Sequence, residues 1–365
     1  MHIHRLDISG IRNIDKARLD GLGQVNVFYG ANGSGKTSIL ESLHMLCLGR
    51  SFRSRQFRSV IQDGKEASTV FTSVTDLSSG KKTSAGVSRS RSSSPEIRIN
   101  GESINTLAVL AQLFPLQLLS ADSFELIEGG PAIRRQFLDW GVFHVEHSFI
   151  SHWQAVKKCI KHRNSLLRHG KIHDSSLEAW DHELAEKGAL IDKARAGYIE
   201  RFQPVFAETV ERVAGLKGLS LEYYKGWSRD DDLASALAGA RDKDVQQGYT
   251  SVGPHRADLR IRAQGRAASE VLSRGQEKIL VCALRLAQAS VLRGTSGKEC
   301  IFLIDDLPSE LDASYRASLC VELERLNAQA FITCIEPREI ESLWSKEVNV
   351  CMFHVEHGDI SISES

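Results

Sequence analysis

The apolar positions of this chain change period along its length. At the start, "HIHRLDISGIRNI" predicts a strand and a turn, "QVNVFYG" a buried strand, and "KTSILESLHMLCL" a helix with Ile39, Leu43 and Leu46 on one face. From 51 to 105 period two takes over. "STVFTSVTDL", "AGVSRSRS" and "EIRINGE" predict antiparallel strands, joined by Ser-, Gly- and Lys-rich loops such as "SSGKKTSAG". From 113 to 245 strand signals almost vanish. There "HSFISHWQAVKKCIKHRNSLLRHG" and "SLEAWDHELAEKGALIDKARAGYIERF" carry three- and four-residue spacing, which predicts an αα-hairpin turning near Gly170 to Ser176. Its second arm lines up Trp180, Leu184, Ile191, Ala194, Tyr198 and Phe202, and Pro204 is expected to kink or end it.

After 246 the α/β texture returns, with strands at "ADLRIRA", "ECIFLIDD", "AQAFITCI" and "NVCMFHVEHGDI" and a helix at "QEKILVCALRLAQASVL". The simplest organisation is one α/β head built from residues 1–112 and 246–365, with a helical lobe, residues 113–245, inserted between its halves. No tandem repeat interrupts this reading.

Composition narrows the function classes. Basic and acidic residues balance at 46 each, so any affinity for nucleic acid must come from local basic patches. No apolar run reaches membrane-spanning length, since even "VCALRLAQASVL" contains Arg285. The N-terminus lacks a signal-peptide apolar region, which points to the cytoplasm. Seven scattered cysteines without a C-x-x-C pair read as reduced core thiols.

The segment "GANGSGKT" fits G-x-x-x-x-G-K-[ST] between a predicted strand and a helix. Backbone N–H groups of Gly30, Ala31, Asn32, Gly33, Ser34, Gly35 and Ser38 would cradle phosphates, Lys36 would reach the β- and γ-oxygens, and the Thr37 hydroxyl would ligate Mg²⁺. In "IFLIDD" a buried strand ends in two carboxylates. Asp305 would hold Mg²⁺ through water, and Asp306 would orient or deprotonate the attacking water. A second anion-seeking loop, "LSRGQEK", opens a helix at Ser273, Arg274, Gly275 and Gln276.

The order P-loop, "LSRGQ", "IFLIDD" and "SELD" resembles the ABC-type ATPase head, in which the signature loop completes the nucleotide site of a second head. Longer phrases narrow the resemblance: "GIRNI", "GANGSGKTSILESL", "GRSFR", "GGPAIRRQFLDW", "KHRNSLLR", "GPHRADL", "LSRGQEK" and "LIDDLPSELD" resemble the RecF family, related to SMC-type heads. The resemblance implies an ABC-type P-loop ATPase head with an inserted lobe bearing a short antiparallel coiled-coil-like hairpin. It implies ATP-dependent homodimerisation on DNA, slow DNA-stimulated hydrolysis, and work with RecR and RecO that directs RecA onto gaps coated by single-strand binding protein. Arg12 matches an arginine that reaches the nucleotide phosphates, Gln117 is chosen as the glutamine-loop residue, and Thr333 stands where such heads carry a switch histidine. Roles for His255 and Arg256 stay open, because Ala257 stands where many relatives are acidic.

Three basic runs are candidate DNA contacts: Arg50, Arg53, Arg55 and Arg58; Lys81 and Lys82 with Arg89 and Arg91; and Lys157, Lys158 and Lys161 with Arg163. The pentapeptide "FHVEH", at Phe143–His147 and Phe353–His357, lacks a third ligand at zinc spacing. Two other readings are the ATPase half of a transporter or effector system, and a DNA-bridging protein whose hydrolysis hardly matters.

Overall fold

Alternation and apolar runs become strands in chain order. β1 (His2–Ile11), β2 (Ile14–Asp20) and β3 (Val25–Tyr29) precede the helix Lys36–Leu48. Then come β4 (Ala67–Thr75), β5 (Lys82–Ser90), β6 (Glu96–Ile99), β7 (Glu102–Ile104) and β8 (Leu116–Leu119). β9 (Leu219–Tyr224), β10 (Asp258–Ala263) and β11 (Arg266–Ala267) follow the long helices. β12 (Ile301–Ile304), β13 (Gln329–Cys334), β14 (Val350–Glu356) and β15 (Asp359–Ile362) close the chain. This computed structural model describes residues 2–54, 56–75, 80–169 and 174–363. Arg55, residues 76–79 and residues 170–173, the first part of the turn expected near Gly170 to Ser176, lie outside the described residues.

The chain divides into two units. One comprises Met1–Ser123, Arg212–Ala214 and Lys278–Ser365; the other comprises Phe124–Glu211 and Gly215–Glu277. In the first, an antiparallel sheet runs β2-β1-β4-β5-β6-β7, and a second sheet runs β15-β14-β3-β13-β12-β8, parallel except for β15. All four residues of β12 and all six of β13 are buried, as their apolar composition requires of strands covered on both faces. The helix Lys36–Leu48 touches strands of both sheets and buries ten consecutive residues from Ser38 to Cys47. It ends at Gly49, which adopts the left-handed conformation and returns its N–H to the Met45 carbonyl.

The second unit carries helices Pro131–Val145, Phe149–His169 and Asp174–Ala214 and the antiparallel sheet β11-β10-β9. Leu184, Ile191, Tyr198 and Phe202 of the expected stripe are buried, while Trp180 and Ala194 are half-buried. The helix continues through Pro204, contrary to an ending there. Phe202, Phe206 and Val210 are buried on either side, and that packing offsets a proline penalty of about 3 kcal/mol.

Sequence boundaries at 113 and 245 do not coincide with these units. β8 lies in a stretch read as helical, because three leucines around a glutamine carry no period; only parallel pairing with β12 makes them a strand. β9 was also missed, and it pairs with β10 across more than thirty intervening residues. Six of the seven cysteines are buried, Cys351 is half-buried, and all are unpaired thiols.

Candidate functional site

β3 delivers the chain into the turn Gly30–Gly35, where the backbone makes demands only glycine meets. A Cβ on Gly30, at φ +148°, would stand 2.3 Å from the Val355 carbonyl oxygen, and one on Gly35, at φ +121°, would stand 2.9 Å from the Asn13 amide. Lys36 then begins the helix and curls back, its Nζ donating to the carbonyls of Gly30 (2.7 Å) and Ala31 (2.8 Å). Burial lowers the Lys36 pKa, while Asp306 and Asp305 oppose the shift.

Parallel register carries the ends of β12 and β13 to the same place. Thr37 Oγ1 donates to Asp305 Oδ1 at 3.0 Å, and Thr333 Oγ1 donates to the same oxygen at 2.8 Å. The Asp306 N–H in turn donates to Thr333 Oγ1 at 2.7 Å. Asp306 holds a left-handed backbone at φ +51°, a conformation aspartate accepts more readily than most residues with a Cβ. A cavity of about 410 Å³ opens here, lined by the glycine turn, Lys36, Thr37, Ser38, both aspartates and Thr333, with Arg12, Asn13 and Arg53 on other sides.

Arg12 is held from behind. Its Nε and Nη2 donate to the two carboxylate oxygens of Glu41 at 2.8 and 2.9 Å, and its Nη1 donates to the Ser59 carbonyl at 2.6 Å. The Glu41 side chain is fully buried, also accepts a bond from the Ser51 hydroxyl, and lies 3.9 Å from Arg53. The bond to Glu41 raises the Arg12 pKa. Sequence reasoning missed Glu41 and Asn13. A lone acid in the apolar helix stretch "ILESL" was the available sign of the first; Asn13, which donates to the Ser34 carbonyl and accepts from Ser38, gave no sign of its own.

Two choices are corrected. Gln117 does not line this cavity: it is fully buried on β8, its amide bonded to Gln288 and its carbonyl to Arg285, because β8 presents that face to the helix Arg274–Ser296. Arg163 cannot meet DNA, since it is 0% exposed and bonded to Asp181 (2.5 Å), Asp244 (2.6 Å) and Thr250 (3.0 Å). Its basic neighbours Lys157, Lys158 and Lys161 are exposed, as are Arg50, Arg58, Lys81 and Lys82. Arg53 lines the cavity, Arg89 stacks over Phe57, and Arg91 is bonded to backbone carbonyls. The two "FHVEH" copies have different structures: one straddles the end of the helix Pro131–Val145, the other runs through β14.

The loop before the helix Arg274–Ser296, in the second unit, forms a capping box. The Gln276 N–H donates to Ser273 Oγ (3.3 Å), and the Ser273 N–H donates to Gln276 Oε1 (3.0 Å). Ser273, Arg274 and Gly275 are exposed, and a Cβ on Gly275 would meet nothing within 4 Å.

A family model described as the RecF/RecN/SMC N terminal domain matches residues 2–361. A protein of Pseudomonas aeruginosa (strain LESB58) named DNA replication and repair protein RecF is 48% identical over 361 residues, covering 99% of this chain and 98% of its own. The chain belongs to the RecF family. A second RecF, of Pseudomonas fluorescens (strain Pf0-1), is 46% identical over the same share of both chains. A solved structure of the recombination mediator protein RecF with ATP, in the RecFOR pathway, superimposes with a TM-score of 0.87 at 25% identity, covering 100% of this chain and 98% of that one. An SMC head bound to the C-terminal winged-helix domain of ScpA has a TM-score of 0.60 at 13% identity and speaks for the fold alone, which is the ABC-type ATPase head. RecF membership sets aside the transporter reading, and among the described residues no helix is long and apolar enough to cross a membrane.

Proposed function

We propose that the chain is an ATP-gated DNA clamp of recombinational repair. The reading rests on one observation: Lys36, Thr37, Asp305 and Asp306 converge on a single cavity although more than 260 residues separate the two halves of the set. Lys36 would exchange its two carbonyl partners for the β- and γ-oxygens of ATP. The N–H groups from Gly30 to Ser38 would take the remaining phosphate charge, and Arg12 would add a guanidinium.

The Thr37 hydroxyl and the Asp305 carboxylate are hard oxygen donors already in contact, a set that suits Mg²⁺. Bound there, Mg²⁺ would neutralise phosphate charge. Asp306 would orient or deprotonate the attacking water, its short side chain suiting the slow, DNA-stimulated turnover of a switch. Thr333 would hold both aspartates in place through its one hydroxyl.

Ser273, Arg274, Gly275 and Gln276 would serve the phosphate of a second copy, so that ATP closes a two-fold homodimer and hydrolysis opens it. Exposed cations at Arg50, Arg58, Lys81, Lys82, Lys157, Lys158 and Lys161 would then grip DNA without reading bases. As the family implies, RecR and RecO would join this clamp in the cytoplasm and direct RecA onto single-stranded gaps.

Sedimentation velocity of the full chain with a fluorescent short duplex tests this, comparing a slowly hydrolysed ATP analogue with ADP. The analogue alone should double the protein mass and carry DNA with it. A protein that stays monomeric and DNA-free with both nucleotides refutes the clamp.

A further inference from the structure

The second unit holds a cavity of about 240 Å³ that the nucleotide chemistry does not use. Its apolar lining comes from Trp153, Val156, Ile160 and Ile191, of which Val156 and Ile191 are 4% and 1% exposed. Its polar lining is cationic. Asp139 is the one carboxylate among the lining residues, and both its oxygens are taken, by Arg195 Nε and Nη2 at 2.8 and 3.0 Å and by the Trp153 indole N–H at 3.3 Å. Asp258, behind it, is forked to Arg134.

Arg135 and Lys157 therefore face the cavity with no carboxylate of their own there. Arg135 donates Nη1 to the Ala257 carbonyl, and Lys157 lays its ammonium 4.2 Å from the centre of the Trp153 ring. Burial is the main cause that lowers the Arg135 pKa, with Arg195 and Arg256 acting the same way and Asp139 and Asp258 opposing them.

His255 also lines the cavity, but its free ring nitrogen is closed off from it. Its Nε2 lies 3.0 Å from the Thr250 carbonyl, which can only accept, so Nε2 carries the proton. Burial holds the ring neutral, with its pKa pushed down to about 4. Nδ1 is then a bare acceptor, buried and without a hydrogen-bond partner among the described residues.

The cavity thus asks for an anion beside an apolar group. We propose that it takes the C-terminal residue of a partner protein. The terminal carboxylate meets Arg135 and Lys157, and the apolar side chain lies against Val156, Ile160 and Ile191. A DNA phosphate would satisfy the cations, but it brings no apolar group.

The test is fluorescence polarisation of the full chain with fluorescein-labelled glycine–serine peptides ending in leucine, isoleucine, phenylalanine or methionine, each as free acid and as amide. At least one free acid should bind, and amidation should weaken it about tenfold or more. Lys157→Glu should weaken it similarly, and so should Gln136→Trp at another lining position, which should leave affinity for a labelled ATP analogue unchanged. The proposal falls if no free acid binds, if acid and amide bind alike, if both variants bind the peptide normally, or if Lys157→Glu loses duplex DNA but keeps the peptide. Nucleotide affinity is read separately, so the clamp and this site stand or fall independently.

Discussion

Glu41→Gln tests whether Arg12, at the cavity of Lys36 and Asp305, is held in place by the buried carboxylate. The native carboxylate is fully buried, takes two bonds from Arg12 and one from Ser51, and has no solvent to replace them. Removing one partner of a buried ion pair costs about 3–5 kcal/mol, because the other charge is left uncompensated. Arg12 keeps 25% of its side chain in solvent and a bond to the Ser59 carbonyl, so water recovers part of that loss; about 2–3 kcal/mol remains. For a unit of this size the thermal midpoint should drop by about 5–10 °C. The assay is thermal unfolding followed by circular dichroism, without nucleotide and at one scan rate. The paired variant Arg12→Met with Glu41→Leu replaces both charges with apolar groups and should recover most of the midpoint, yet lose affinity for the ATP analogue. A Glu41→Gln protein that melts like the native chain, or a paired variant that melts no higher than the single one, would refute the reasoning.

Three further outcomes are expected. Ser273→Arg should keep analogue binding by the monomer but abolish ATP-dependent dimerisation in sedimentation; normal dimerisation would show that the signature loop does not serve a partner's phosphate. His44 is buried and neutral, its pKa pushed down from 6.5 to about 4 chiefly by burial. Between those values the unfolded chain binds a proton that the folded chain refuses, so this stability is present above pH 6.5 and is lost as pH falls toward 4. The loss amounts to about 3 kcal/mol, and His2 and His255 act in the same direction. Melting midpoints of His44→Gln should therefore fall less steeply over that range than those of the native chain, and parallel profiles would count against it. Gly141→Ala would set a Cβ 2.2 Å from Cζ of Tyr198, which is 1% exposed and has nowhere to go. Overpacking of about 1–3 kcal/mol should outweigh the gain in helix propensity of about 1 kcal/mol, giving a lower urea midpoint. A higher midpoint would show that the ring can move.

What the sequence determined by itself was chemistry packed into short stretches. The turn Gly30–Gly35 with Lys36 and Thr37 was legible because three positive-φ glycines and a helix start are local demands, met by neighbours in the chain. Asp305 and Asp306 were legible because four apolar residues ending in two acids describe a buried strand leaving its sheet. The capping box at Ser273 and Gln276 is local in the same sense.

Tertiary structure alone decided which of the remaining polar residues belong to the site. The register of β12 against β13, with Ile304 opposite Ile332, brings Thr333 to Asp305, and β3, whose Tyr29 lies opposite Cys334 of β13 and His354 of β14, closes Gly30 against Val355. The pairing of β8 with β12 buries Gln117, which the family resemblance had suggested for the glutamine loop. In the second unit, Arg163 belongs to a run of four basic residues, yet it is the one folded inward between Asp181 and Asp244. Glu41 and Arg12 are 29 residues apart and meet only because the first strands pack over the helix that carries the acid. A charge in a sequence reads the same whether it ends in water or in an ion pair; the difference is burial, and burial depends on partners that the chain brings together only by folding.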